Sequence, residues 1–259
     1  MNIRTLAMAA VAAAVAISSQ LPRTAWSGDD APPSAKGGAA HELAVVELFM
    51  SQACGSCPPA VEFMGELATG GDVIALTWPV DYFDYTGWKD TFASPENSRR
   101  QRAYNDQLGL RYLYTPQIFV NGASQAVGSD REDVMAAVEE PAKRLRVDID
   151  IKQDGDSVTI HLPSAPAALP ATVWLMRYDH IRQVDIAGGE NAGRTMLLRN
   201  VVRDTNAIGT WNGEAKDIVL NIPDLMDGNR EACAILVQTQ GVGPIIGAAT
   251  LDFASLDVN

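Results

Sequence analysis

Two cysteines set two residues apart, Cys54 and Cys57, are the side chains best placed to do chemistry. They lie in Ala-Val-Val-Glu-Leu-Phe-Met-Ser-Gln-Ala-Cys-Gly-Ser-Cys-Pro-Pro (44–59), where an apolar run reads as a buried strand (44–50) followed by a short turn. From Val61 to Ala68 the apolar spacing is that of an amphipathic helix. A sulfur at a helix N-terminus meets unpaired backbone N–H groups and the positive end of the helix dipole, and both favour thiolate over thiol. The dipole contributes about 0.3–2 kcal/mol against ~1.4 kcal/mol per pKa unit, so it lowers the Cys54 pKa by up to about one unit. The chemistry this outlines is thiol–disulfide exchange. Cys54 is expected to be the exposed nucleophile that forms a mixed disulfide, and Cys57, deeper in the turn, the thiol that resolves it.

Other uses of the pair are weaker. Zinc needs four ligands, or three and a water, and three cysteines with three scattered histidines offer no second ligand pair, so no metal site is expected. A purely structural bridge across so short a loop constrains little of the unfolded chain. Met50 and Met64 flank the pair and could make a soft copper site, although methionine is more often core filler. A copper chaperone and a non-catalytic binding protein therefore stand as alternatives. Cys233, within Ala-Cys-Ala-Ile-Leu-Val (232–237), reads as a small buried hydrophobe in a strand. No cofactor is expected beyond a redox-active Cys54–Cys57 disulfide.

The 259 residues are 47% hydrophobic and 20% charged, as in a globular protein with ample core. Arg4 followed by the apolar, Ala-rich stretch Thr5 to Ile17 and then small polar residues reads as a signal peptide over 1–27, which implies a periplasmic or secreted protein. Residues 28–42, rich in Gly, Pro and Ala, have linker composition, and His41 there is expected to be solvated. With the signal removed, no stretch is long enough to span a membrane. The net charge of −12 repels phosphate backbones and anionic lipid surfaces, so nucleic acid is excluded as a partner. Three cysteines in an oxidising compartment are one pair and one leftover.

Further elements must position the pair. Asp72 to Val80 reads as a second strand, making a βαβ unit with the first. Residues 81–93 are dense in aromatics and carboxylates, and fit either a binding rim or a local mini-core. Ser94-Pro95-Glu96 opens a helix to about Leu108, with Arg99, Arg100 and Arg102 as a basic face. The stretches Tyr114 to Val120 and Ala123 to Val127, separated by Asn121-Gly122, read as the two short strands of a hairpin, and Ser129-Asp130 caps a helix to roughly Leu145. From Arg146 the texture changes to short alternating strands with Pro and Gly turns: 147–152, 157–162, 171–178, 196–202, 217–222, 232–240 and 245–253. These suggest an all-β sandwich over 147–259, with a boundary at 145–147.

The order β-α-β-α-β-β-α through residue 145, with a C-x-x-C after the first strand and Thr115-Pro116 before a hairpin, resembles the thioredoxin-like fold. The chain is more similar still to a family of secreted thioredoxin-like proteins of unknown function. It shares with them Val-Glu-Leu-Phe-x-Ser-Gln-x-Cys-x-Ser-Cys-Pro-Pro (46–59), Val-Asp-Tyr-x-Asp-Tyr-x-Gly-Trp (80–88), Tyr-Thr-Pro-Gln (114–117) and Gly-Glu-Asn-Ala-Gly-Arg-Thr (189–195). The resemblance covers about residues 43–255. It implies an α/β thioredoxin-like domain over 43–146 and a thiol–disulfide oxidoreductase acting on thiol or disulfide clients or a redox partner. It further implies a cis bond at Pro116, packed against Cys54, with Thr115 offering backbone pairing to an extended substrate.

Glu47 is a charge within an apolar strand, and a buried carboxylate needs a partner. Proton shuttle for Cys57, after the buried acid of thioredoxins, and structural partner of an arginine among 99–102 weigh equally. Two departures from thioredoxin, Ala53 in place of a bulky aromatic and Gly55-Ser56 between the cysteines, leave the direction of electron flow open. Gly188-Gly-Glu-Asn-Ala-Gly-Arg-Thr195 nearly spells a phosphate loop, but the strand-like sequence after it argues against nucleotide binding.

Overall fold

Eight strands form one sheet in the order β11 (Ile245–Asp252), β10 (Ala232–Thr239), β7 (Ala171–Asp185), β8 (Thr195–Trp211), β2 (Val73–Pro79), β1 (Ala44–Met50), β3 (Gln117–Val120) and β4 (Ser124–Val127), and three more form a small second sheet, β5 (Asp150–Asp154), β6 (Ser157–Leu162) and β9 (Lys216–Asn221). The structure, a computed structural model, describes residues 44–140, 145–166 and 170–257, so the expected signal peptide (1–27), linker (28–42) and His41 lie outside the described residues. Strand β1 (Ala44–Met50) pairs in parallel with β2 (Val73–Pro79) and antiparallel with β3 (Gln117–Val120), which turns into β4 (Ser124–Val127). Helices α1 (Pro58–Gly70) and α2 (Pro95–Gln107) fall between these strands and α3 (Arg131–Glu139) follows β4, as expected. Two prolines open the first turn of α1, where their missing N–H groups cost nothing, and Ser94 caps α2 by accepting from the Asn97 N–H. Helix α3 stops before Pro141 rather than at Leu145, because the residue before a proline is pushed out of the helical region; Glu140 is extended at φ −65°, ψ 110°.

Side-chain alternation divides β1 between two cores. Ala44, Val46, Leu48 and Met50 pack with both cysteines and α1, whereas Val45 and Phe49 face Trp78, Tyr104 and the later strands. Being buried on both faces, β1 reads as a continuous apolar run.

The second half of the chain does not form a sandwich of its own. Strands β5 (Asp150–Asp154), β6 (Ser157–Leu162) and β9 (Lys216–Asn221) make the small sheet, with the short helix α4 (Ile222–Met226) beside it. Strands β7 (Ala171–Asp185), β8 (Thr195–Trp211), β10 (Ala232–Thr239) and β11 (Ile245–Asp252) instead extend the sheet begun by β1–β4. The joint is a parallel contact between β2 and β8 at Thr77 and Val201, reinforced by Thr77 Oγ1 donating to Arg199 O at 2.7 Å and Asn200 Nδ2 to Ala75 O at 2.9 Å. Pairing there satisfies the edge that β2 would otherwise leave bare. The described residues from 44 onward fall in one compact unit, and the large sheet continues across the expected boundary at 145–147. Two-layer packing is nonetheless present locally. In β10, Ala232, Ala234 and Leu236 face α2, while Cys233, Ile235 and Val237 face the small sheet. The fold is mixed α/β around a large central sheet.

Strands β7 and β8 run well past their expected ends, as a long antiparallel ribbon. Charges within them conceal this in the sequence. They are paired: Asp179 with Arg182 (3.1 Å) and Arg203, and Asp204 with Arg177 (2.6 Å) and Arg230 (3.0 Å). The ribbon carries residues 186–194 to the cysteines.

Candidate functional site

The turn between β1 and α1 is closed by Cys54 N–H donating to Ser51 O (3.1 Å) and Cys57 N–H to Cys54 O (3.1 Å). Cys57 is the residue that precedes α1, so Cys54 stands one turn ahead of the helix. Both sulfurs are unbonded thiols. Cys54 was expected to be exposed. It is 2% exposed, and Cys57 is 0%, because flanking segments close over the turn.

The two thiols are driven apart. Cys54 is lowered from an ordinary 9.0 to about 6, first by a hydrogen bond from the Cys57 thiol, against the opposing effect of burial, and then by the Ser56 hydroxyl, Thr115 and the Ser56 backbone. Cys57 is raised well above 9.0, chiefly by burial and then by its donation to Cys54. The neighbouring thiol, rather than the helix end, leads in stabilising the Cys54 thiolate. The result is a nucleophile ionised at neutral pH beside a thiol that holds its proton.

The Thr115–Pro116 bond is cis and faces the pair. Cys54 Sγ lies 3.7 Å from Thr115 O, and Ser56 Oγ bridges, 3.4 Å from Cys54 Sγ and 3.4 Å from Thr115 O. Thr115 Oγ1 is buried without a hydrogen-bond partner, yet it favours both thiolates, which makes it a donor held ready for the anion. The Pro116 loop is fixed from both sides. Gln101 Nε2 donates to Tyr114 O at 2.8 Å, and Gly128 N–H donates to Pro116 O at 2.9 Å. At Gly128 a Cβ would stand 3.0 Å from both Pro116 Cβ and Leu48 Cδ1, so a side chain there would crowd the Pro116 loop.

Glu47 does not join the site. It lies on the opposite face of β1 from the cysteines, where Arg100 Nε donates to Oε1 at 2.8 Å and the Tyr104 hydroxyl donates to Oε2. Arg100 also stacks over Trp78 and Tyr104 at 4.9 Å and donates to Gln238 Oε1 at 3.3 Å. Of the two readings of Glu47, the structural partner holds, since strand alternation puts a sheet between the carboxylate and Cys57. The arginines of α2 form no single basic face, because Arg100 is buried while Arg99 is exposed and paired with Glu96.

Several residues that sequence reasoning passed over build the walls. Gln52 is fully buried: its N–H donates to Asp90 Oδ2 (2.7 Å), its Oε1 accepts from Trp88 Nε1 (2.9 Å), and its Nε2 donates to Thr91 Oγ1 (3.0 Å). Burial pushes Asp90 up from 3.8 to about 6. The aromatic loop is thus chiefly a mini-core, with Phe83, Trp88 and Phe92 packed on the core that contains the cysteines and Tyr85 left 85% exposed. From the β7–β8 ribbon, Asn191 Nδ2 donates to Gln52 O (2.9 Å) and Cys54 O (2.8 Å), and Glu190 Oε2 accepts from Gly55 N–H (2.8 Å). The available signal was the shared segments 80–88 and 189–195, whose side chains meet at the cysteine turn.

Met50 and Met64 are buried in the core at 0% and 1% exposure, and no cluster of three or more His, Cys, Asp or Glu suited to a metal occurs among the described residues. Cys233 is 1% exposed and its thiol is pushed up to about 12 by burial, an inert side chain. No helix among the described residues is long and apolar enough to cross a membrane.

No curated protein matches the chain. A crystal structure of a protein from Agrobacterium tumefaciens is similar over 83% of this chain and 96% of its own, with 32% identity and a TM-score of 0.73. The protein HBP35 of Porphyromonas gingivalis shares the fold at 13% identity, over 83% of this chain and 76% of its own, with a TM-score of 0.56. The model of a family described as a protein of unknown function, DUF1223, matches residues 45–238. The chain belongs to that family.

Proposed function

We propose that the protein is an exported thiol–disulfide oxidoreductase, built on a thioredoxin-like arrangement of β1–β4 with α1–α3 and working in the periplasm or outside the cell on thiol or disulfide clients. The observation that carries this is the opposed ionisation of two adjacent thiols beside a cis-proline loop: Cys54 near 6, Cys57 well above 9. In the reductive direction the Cys54 thiolate attacks one sulfur of a substrate disulfide. The substrate S–S bond breaks, a Cys54–substrate disulfide forms, and the departing sulfur takes a proton. Cys57 then loses its proton and attacks Cys54 Sγ, which releases the second substrate thiol and leaves a Cys54–Cys57 disulfide. Two electrons pass from the cysteines to the substrate together with two protons, one from Cys57 and one from solvent, and the reverse sequence oxidises a dithiol. The group left on Cys54 after the first step has lost its charge, which removes its claim on the Cys57 proton and frees that thiol to react.

The test is exchange with a model disulfide by the wild type, Cys54→Ser and Cys57→Ser. The expected result is turnover by the wild type, none by Cys54→Ser, and a trapped mixed disulfide on Cys57→Ser. A folded wild type that neither reduces nor oxidises the model substrate above the rate of a free thiol overturns the reading.

A further inference from the structure

The tip of the β7–β8 ribbon engages the cysteine turn from a point 137 residues further along the chain. Asn191 is wholly buried, and one amide nitrogen donates to the carbonyls of Gln52 and Cys54, at 2.9 and 2.8 Å, which spans Ala53. Its Oδ1 is buried without a partner, so the side chain is held by those two bonds alone. Glu190 adds a third tie at Gly55 N–H. Consecutive residues of the ribbon thus hold backbone groups before, at and after Cys54.

The approach is close, and on the ribbon side it requires glycine. A Cβ on Gly188 would fall 2.4 Å from Gly87 O, and one on Gly55 would fall 2.5 Å from Glu190 Oε2. Gly189, at φ +71°, would put a Cβ 3.3 Å from Trp88 Cβ and 3.5 Å from Ala53 Cβ. A bulky aromatic at position 53 would meet this loop, which accounts for alanine there. The tip itself is internally fixed by Gly193 N–H donating to Ile186 O (2.7 Å) and Ile186 N–H to Arg194 O (2.9 Å).

We propose that Asn191, with Glu190 beside it, is a positioning residue for Cys54, so that the β7–β8 tip completes the dithiol site by holding the turn where Cys57, Ser56 and Thr115 reach the Cys54 sulfur. This deepens the thiol-exchange reading and depends on it for its functional meaning. Asn191 touches no reacting atom. It acts through the two carbonyls that orient the Cys54 backbone, and hence through the hydrogen bonds that depend on that orientation. Glu190 serves as an acceptor, a role an amide oxygen can fill.

The experiment follows iodoacetamide alkylation of the reduced, full-length protein against pH, with the dithiol–disulfide equilibrium in glutathione buffers as second readout. Variants are Asn191→Ala, Glu190→Ala and Glu190→Gln, each checked for cooperative unfolding. Asn191→Ala is expected to raise the Cys54 midpoint by about one unit or more, so that the rate below it falls about tenfold. It is also expected to shift the glutathione equilibrium toward the disulfide, since the thiolate form loses stabilisation. Glu190→Ala should move in the same direction, and because it lies on the exposed tip it carries the test if Asn191→Ala does not fold. Glu190→Gln should restore the wild-type midpoint. Folded alanine variants with the wild-type midpoint and equilibrium overturn the proposal. So does Glu190→Gln behaving as Glu190→Ala, in respect of the acceptor role. A wild type that catalyses no exchange, yet whose midpoint moves in Asn191→Ala, supports positioning while removing the oxidoreductase reading. Exchange that persists with unmoved midpoints does the opposite.

Discussion

Glu47 and Arg100 form a buried ion pair, Oε1 to Nε at 2.8 Å, on the face of β1 that points away from the cysteines. Removing one member of such a pair strands the other charge in the interior, a loss of about 3–5 kcal/mol. Glu47→Ala is expected to lower the unfolding free energy obtained from urea titration by an amount in that range, and Glu47→Gln, which keeps an acceptor for Arg100, by less. Neither folded variant should change the pH dependence of Cys54 alkylation. A shifted Cys54 or Cys57 profile in Glu47→Gln would restore the carboxylate to the proton path.

The Cys54 thiol should titrate near pH 6 while an ordinary thiol is still climbing at 9. Alkylation of the wild type is therefore expected to be half-maximal near pH 6 and flat from about 7.5 upward. The stability of the dithiol form carries the same signature. A folded pKa below the unfolded one contributes stability that is present above 9.0 and lost as pH falls through about 6. Cys57, raised well above 9.0, works the other way and only above 9.0, where its contribution is lost as pH rises. Between 6 and 9 the unfolding free energy of the reduced protein should therefore rise with pH, and this rise should vanish in Cys54→Ser. Urea titrations at four or five pH values decide it.

How the strands partner one another marks the limit of what the sequence discloses. The elements are legible because each has a local cause: the apolar run of 44–50, the Ser94 cap, Asn121-Gly122, the alternation of 157–162. The dithiol and its facing Thr115-Pro116 are legible for the same reason. The parallel joint between Thr77 and Val201 has no local cause, since hydrogen bonds across that distance in the chain leave no trace in either segment, and so one sheet read as two domains. Glu47 was ambiguous because a period-2 strand tells which residues share a face but not which face holds the cysteines. Asn191 looked like a loop residue because its two acceptors are backbone carbonyls, which every residue has.

Asp90 supplies an independent titration at the wall of the site. Burial raises its carboxyl from 3.8 to about 6, while Gln52 N–H and Phe92 N–H donate to its two oxygens at 2.7 and 2.9 Å. The sign is opposite to that of Cys54: a raised carboxyl contributes stability below 3.8 that is lost as pH rises through about 6. Asp90→Asn, which cannot ionise and keeps one acceptor, removes that dependence. The stability difference between wild type and variant is expected to change between pH 4 and 6 and to be constant above 7. A difference that is flat throughout would mean that the carboxyl titrates normally.

Cys233 gives a control on thiol ionisation. It sits between two layers of side chains at 1% exposure with its thiol held protonated. Brief alkylation of the reduced native protein at pH 7 should add one label, at Cys54, and three after unfolding in guanidinium, as read by peptide mass spectrometry. Label at Cys233 in the native protein would contradict its packing.

The joint at β2 makes the last prediction the broadest. Val45, Phe49, Ile74, Leu76 and Trp78 are covered on one face by Tyr104 and by residues beyond 146, among them Met176, Val202, Ala234, Leu236 and Ile245. A fragment of residues 43–146 would keep every β1–β4 pairing but expose that apolar face, leave the β2 edge unpaired, and lose the Asn191 and Glu190 ties at the dithiol. It is expected to show no cooperative urea transition, to bind a hydrophobic dye, and to have a Cys54 that alkylates with the midpoint of an unperturbed thiol. A fragment that unfolds cooperatively and keeps the Cys54 midpoint near 6 would show that β1–β4 and its helices hold the site alone, with the later strands an added layer. The first outcome means that neither half is a domain, and that the reactive turn is assembled only when the last strands close the sheet.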